Sequence, residues 1–127
     1  MRRVNGQSLD KLYKSRSILI SEVKYLLVQL LDTCKYIHKL GVCHRDLKPD
    51  NIIVDEFFTL FLIDFNVAVK FSNPNEDEIV GGTGLKQWSA PETRTQLKYS
   101  HKCDAWSVGC ILYYLLSGRE IDLQLSY

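Results

Sequence analysis

Residues 104–117 form a helix-length stretch that is apolar almost all the way round: Ala105, Trp106, Val108, Cys110, Ile111, Leu112, Tyr113, Tyr114, Leu115 and Leu116, interrupted by Ser107 and Gly109. A helix without a polar face has to be enclosed by other elements. The apolar run falls short of the roughly 20 residues that a bilayer span needs. Enclosure by protein is the remaining solution, in a larger body than the neighbouring residues supply. Asp104 opens this helix and Gly118 closes it.

The rest of the chain supplies partners for it. Val23, Leu26, Leu27, Leu30, Leu31, Cys34, Ile37 and His38 recur at three- and four-residue steps and predict one long helix with these side chains on one face. Ser21 is its expected N-cap, and Gly41 sits where a left-handed residue would end it. Residues 1–17 are polar and basic, with Leu9, Leu12 and Tyr13 spaced as a short amphipathic helix. Two apolar runs, 52–54 and 60–63, lie a short connector apart and predict a small β-hairpin. Residues 42–51 lack periodicity, contain a proline and read as a loop. Residues 66–89 are rich in Asn, Gly, Asp and Glu, and loops longer than about 15 residues inside a domain are usually functional or mobile. The expected fold class is α+β, mostly α, with one small hairpin. Residues 119–127 carry no signal, as if the chain stopped partway through a fold.

A length of 127 residues bounds one modest domain, and a net charge of +1 gives no long-range attraction to nucleic acid or to a membrane surface. Cys34, Cys43, Cys103 and Cys110 form no C-x-x-C pair and follow no secretory leader, so they read as reduced thiols. That reading places the protein inside the cell, in the cytoplasm with the nucleus left open. Cys43, His44, His101 and Cys103 can be assembled on paper into a zinc site, but structural zinc favours closely paired cysteines, and the reading is set aside.

Chemistry concentrates in His44-Arg45-Asp46-Leu47-Lys48-Pro49-Asp50-Asn51. On a rigid loop, Asp46 can orient or deprotonate an attacking hydroxyl while Asn51 offers a neutral oxygen to magnesium. Lys48 is suited to offsetting charge on a phosphoryl group in flight. The plain alternative is a solvated loop between a helix and a hairpin. Asp64, leaving the second strand, is placed to bind a cation, or is an ordinary acid at a strand-to-turn boundary.

The order of four motifs makes the reading specific. His44 to Asn51 resembles the catalytic loop of eukaryotic protein kinases, and Asp64-Phe65-Asn66 resembles the Asp-Phe-Gly that follows it. Ala90-Pro91-Glu92 is similar to the Ala-Pro-Glu closing the activation segment, and residues 104–109 are similar to the buried helix start beneath the catalytic loop. Lys48 two residues after Asp46 is the serine/threonine pattern.

The resemblance implies transfer of the ATP γ-phosphoryl group to a protein serine or threonine, with Asp46 as base and Lys48 on the transferred phosphate. It implies that Asn51 and Asp64 hold Mg2+. Ile53 would lie beneath adenine, flanked by Ile52 and Val54, which read equally as plain core. His44 and Phe65 would stack, and Asp104 would hydrogen-bond the catalytic-loop backbone. Arg45 resembles kinases switched on by phosphorylation. An activating kinase would act in segment 67–89, first at Thr83 and then at Ser72. Glu76, Asp77 and Glu78 read as a solvated acidic stretch.

Three departures accompany the resemblance. Asn66 replaces the expected glycine; asparagine is the residue that best tolerates the left-handed backbone glycine allows, so the change reads as tolerable for magnesium binding. Counting back from Ala90 places Leu85 where a threonine usually touches the catalytic loop; Thr83 serves only with a two-residue insertion. Nothing in the chain resembles the glycine-rich loop, the strand lysine or its helix glutamate. It begins near the hinge, around Asn5 to Leu9, and ends before the arginine that usually pairs with Glu92. Residues 1–127 are therefore expected to be a partial kinase domain, a C-lobe fragment without the N-lobe. Half a cleft would bind ATP poorly, since pockets usually cover roughly 70–90% of a ligand. The alternative expectation is a non-catalytic, pseudokinase-like module binding a partner through its helical face.

Overall fold

A computed structural model describes residues 6–70, 78–79, 88–91, 98–99 and 102–118, with only the backbone at 78–79 and 98–99. Along the chain run β1 (Gly6–Ser8), α1 (Leu9–Ser15), α2 (Ile20–Lys39), β2 (Val42–Cys43), a 3-10 turn (Pro49–Asn51), β3 (Ile52–Asp55) and β4 (Leu60–Leu62). They are followed by β5 (Val69–Lys70), β6 (Glu78–Ile79), β7 (Lys98–Tyr99) and α3 (Lys102–Ser117). Among the described residues the fold is mixed α and β, with helices dominant and three small antiparallel sheets, β1-β3-β4, β2-β5 and β6-β7. Among the described residues, no helix is long and apolar enough to cross a membrane.

The two long helices follow their apolar spacing. Val23, Leu26, Leu30, Cys34 and Ile37 are the buried side chains of α2. Leu27 packs at the edge of this core, whereas Leu31, expected on the same face, is half exposed. A 3.6-residue period carries Leu31 round to the flank. Val108, Ile111, Tyr114 and Leu115 of α3 join Val23, Leu26, Leu30 and Cys34 of α2 with Leu9, Leu12, Leu47, Ile52, Val54 and Leu60 in one core. Tyr113 and Leu116 stay exposed, so the described residues cover α3 on one side.

Helix ends show where local chemistry decided. The expected N-cap Ser21 lies inside α2; the N-cap residue is Leu19. A leucine side chain cannot accept a hydrogen bond, so only the reverse half of a capping box forms. The Glu22 carboxylate accepts from the Leu19 N–H at 3.0 Å and pairs with Arg16 at 2.7 Å. At the other end Gly41 adopts φ +77° and donates to the His38 carbonyl at 3.0 Å, as the glycine predicted. Gly118 likewise follows α3 at φ +75°. Ser8 caps α1, accepting from the Lys11 N–H at 3.1 Å.

The predicted hairpin is β3-β4, with Ile53 opposite Phe61. Its turn is organised by Asp55, whose Oδ1 accepts from the N–H groups of Phe57 and Thr59 at 2.9 and 2.8 Å. Gln29 fastens it to α2: its Nε2 donates to the Phe58 carbonyl at 2.7 Å and its Oε1 accepts from the Leu60 N–H at 3.0 Å. The third strand, β1, has no apolar alternation to announce it. Glycine lets it in, because a Cβ on Gly6 would meet the Val54 carbonyl oxygen at 2.5 Å. The expected loop 42–51 is in part ordered structure, since β2 pairs with β5 (Cys43 opposite Val69) and residues 49–51 form the 3-10 turn.

Gln29 should therefore matter more than its helix position suggests. Replacing it by methionine, of similar shape, strands two backbone groups and should cost about 1–3 kcal/mol. Leu31→Ala, on the exposed flank, should stay within about 1 kcal/mol. Urea unfolding of both variants reads the difference.

Candidate active site

The loop 44–51 is held from below by one carboxylate. Asp104, in the first turn of α3 and fully buried, accepts from the His44 N–H at 2.9 Å and the Arg45 N–H at 3.0 Å. Its Oδ2 also meets His38 Nε2 at 2.9 Å. Burial alone would raise this carboxyl's pKa, but hydrogen bonds from His38 and from the Arg45 and His44 amides outweigh it and hold the value below the ordinary range. Arg45 takes φ +70°, a left-handed conformation costing a β-carbon-bearing residue about 1–2 kcal/mol. The Asp104 bond to its N–H and a 2.6 Å bond from its Nε to the Val67 carbonyl hold it there.

His44 carries the geometry upward. The Asp46 N–H donates to His44 Nδ1 at 3.1 Å, so Nδ1 has no proton; Nε2 carries it and donates to the Ile63 carbonyl at 2.9 Å. One buried ring thus joins the loop to the end of β4. The Phe65 ring lies against it at 4.6 Å between centroids. Asn51 closes the loop, its Nδ2 donating to the Asp46 carbonyl at 2.8 Å and to Asp46 Oδ2 at 3.2 Å. With Nδ2 committed in this way, the side-chain group of Asn51 left to act as an acceptor is Oδ1. Lys48 Nζ stands 4.0 Å from Asp46 Oδ1. Asp46, Lys48 and Asn51 therefore form one cluster.

Asp64 joins it through backbone. The Ile63 N–H donates to the Asn51 carbonyl at 3.0 Å, and Asp64 follows, exposed, at φ +60°. The left-handed residue of this turn is Asp64 rather than Asn66. A short acidic side chain tolerates that region, and Asp64 Oδ1 accepts from the Asn66 N–H at 3.4 Å. Asn51 Oδ1 and the Asp64 carboxylate are both hard oxygen donors, a set that fits magnesium. Ile53 is half-buried and points away from Ile52 and Val54, which are core at 0% and 3% exposure.

Beside the loop, Ala90 is buried and Ser107 of α3 donates to the Trp88 carbonyl at 2.6 Å, fixing residues 88–91 on the helix that carries Asp104.

Against this geometry stand the comparisons. The family model described as "Protein kinase domain" matches residues 1–124. Mitogen-activated protein kinase p38b of Drosophila melanogaster is 39% identical over 114 residues, which are 89% of this chain and 30% of that protein. The chain belongs to the eukaryotic protein kinases, serine/threonine type. Mitogen-activated protein kinase 14 of Xenopus laevis is 36% identical over 117 residues, 91% of this chain and 31% of that protein. This kinase chain therefore spans about 30% of the length of those relatives.

Several participants were not legible in the kinase sequence. His38 read as one more member of the apolar face of α2; its position at the helix end, where a polar tip can reach a neighbour, was the available signal. The link from Arg45 to Val67 joins distant segments and left no local signal, while the contact of Cys43 with Cys103, Sγ to Sγ 3.1 Å, brings together two of the four residues set aside as a zinc site. Thr83, Ser72, Leu85, Glu92, His101 and the acidic side chains at 76–78 lie outside the residues whose side chains are described.

Asp104→Asn keeps the shape but leaves one loop N–H facing an amide, and should cost about 2–4 kcal/mol. The pH dependence has a definite sign. The folded-state pKa of Asp104 is lowered, so its contribution is complete above the unfolded value of about 3.9 and is lost as pH falls below it. Wild-type stability should drop from pH 5 to pH 2 by more than that of the asparagine variant, measured by urea unfolding across that range.

Proposed function

We propose that residues 1–127 are the catalytic-loop part, the C-lobe, of a serine/threonine kinase domain that transfers the γ-phosphoryl group of ATP to a protein hydroxyl. What carries the reading is the cluster in which Asn51 holds Asp46 by two hydrogen bonds while Lys48 stands at its other oxygen. Asp46 accepts or orients the proton of the attacking serine or threonine hydroxyl. Held through its own backbone N–H by His44, it keeps its carboxylate in one place, which is most of what such a reaction asks of the protein. Lys48 offsets negative charge on the phosphoryl group, and Ile53 offers adenine an apolar surface.

Asn51 and Asp64 would hold magnesium, which supplies positive charge to the phosphates when bound. The partners are a protein substrate and an activating kinase working on segment 67–89; the compartment is the cytoplasm, with the nucleus left open. A second reading, a kinase-like interaction module, draws on the exposed Tyr25, Val28, Leu31 and Tyr36 of α2.

The test uses the full-length polypeptide that carries these residues, with magnesium ATP and a generic serine/threonine substrate. Asp46→Ala should lower turnover by about 10²–10⁴-fold. Asp64→Asn should raise the magnesium concentration needed for half-maximal rate. Unchanged turnover in Asp46→Ala would overturn the catalytic assignment, and no turnover in the wild type would favour the interaction module.

A further inference from the structure

Cys43 and Cys103 come from distant parts of the chain, the strand before the catalytic loop and the first turn of α3, yet their sulfurs lie 3.1 Å apart. Both are buried, at 0% and 2% exposure, in a small cluster with Ala90 that Val69 and Trp106 cover. The residues that follow them, His44 and Asp104, are already joined by a 2.9 Å hydrogen bond, so the two segments are held together at this point. An approach of about 1 Å brings the sulfurs to the bonding distance of roughly 2.05 Å.

We propose that Cys43 and Cys103 form a reversible disulfide under peroxide, a covalent staple between the catalytic loop and α3 alongside the Asp104 hydrogen bonds. Hydrogen peroxide oxidises one thiol to a sulfenic acid and releases one water. The second sulfur attacks the first; the S–S bond forms, the S–O bond breaks, and a second water leaves with the remaining thiol proton. Two electrons pass from the two sulfurs to one peroxide. The hydrogen bond with Cys103, burial and the charge of Asp104 together push the Cys43 thiol up, so its thiolate is scarce at neutral pH. The pair therefore stays reduced under mild conditions and answers only to sustained oxidant. Once made, the bond closes a loop containing the catalytic loop, the hairpin and Asp64, and restricts the unfolded chain.

The test is peptide mapping of the intact chain after sustained peroxide and alkylation of residual thiols, without reduction. The expected result is a mass loss of about 2 Da and a linked peptide joining Cys43 to Cys103, both reversed by dithiothreitol. The melting temperature of the oxidised chain should rise by roughly 5–10 °C. Cys43→Ser and Cys103→Ser should each abolish the link, and the double variant Cys34→Ser, Cys110→Ser should keep it. Full alkylation of all four thiols after peroxide, a link through Cys34 or Cys110, or an unchanged or lower melting temperature would overturn the proposal. So would a native mass showing bound zinc, since Cys43, Cys103 and Asp104 bring possible ligand atoms within 4.8 Å of one another.

Discussion

One buried carboxylate organises this kinase chain. Asp104 has no exposure to solvent, yet it stays on the charged side of its equilibrium because three donors converge on it. A buried charge is tolerated only when its lone pairs are occupied, and here the occupants are the backbone of loop 44–51 and a histidine of α2. The requirement to satisfy the carboxylate therefore ties three separate segments to a single point. It also sustains the left-handed Arg45, the turn from which Asp46 emerges.

From that point order spreads by hydrogen bonds that each use up a polar group. His44 spends Nδ1 on Asp46 and Nε2 on Ile63; Asn51 spends Nδ2 on Asp46. Asn51 Oδ1 and Asp64 Oδ2 take no part in these bonds, and hard oxygens of that kind are what a cation would need. A rigid inner network leaving a few outward acceptors is how a loop supports a site without being part of a regular element. Apolar packing supplies the platform. The α2 and α3 faces close over Leu47, in the middle of the loop, and Ile52, the first residue of β3 after it, so the site sits directly on the main core.

Much of this was legible beforehand wherever the signal is local. The apolar period gave α2 and α3, Gly41 gave a helix end, two apolar runs gave the hairpin, and the motif order gave the family. Predictions from single residues fared worse where a neighbour intervened. Ser21 lost the N-cap to Leu19, whose N–H the Glu22 carboxylate holds, and the left-handed backbone falls at Asp64, two residues before the asparagine that tolerates it. At each place the bond is made by a carboxylate a few residues away, Glu22 to the Leu19 N–H and Asp64 to the Asn66 N–H, and composition does not rank such bonds.

The sequence by itself determined the residue types at the site, the periodicity of the helices and the membership in the protein kinases, because each depends on neighbours along the chain. Only the tertiary structure decided which partner each polar group received: His38 for Asp104, Gln29 for the hairpin, Val67 for Arg45, Cys103 for Cys43. Those pairings depend on how separate elements pack, and a buried polar atom takes whichever partner the packing delivers.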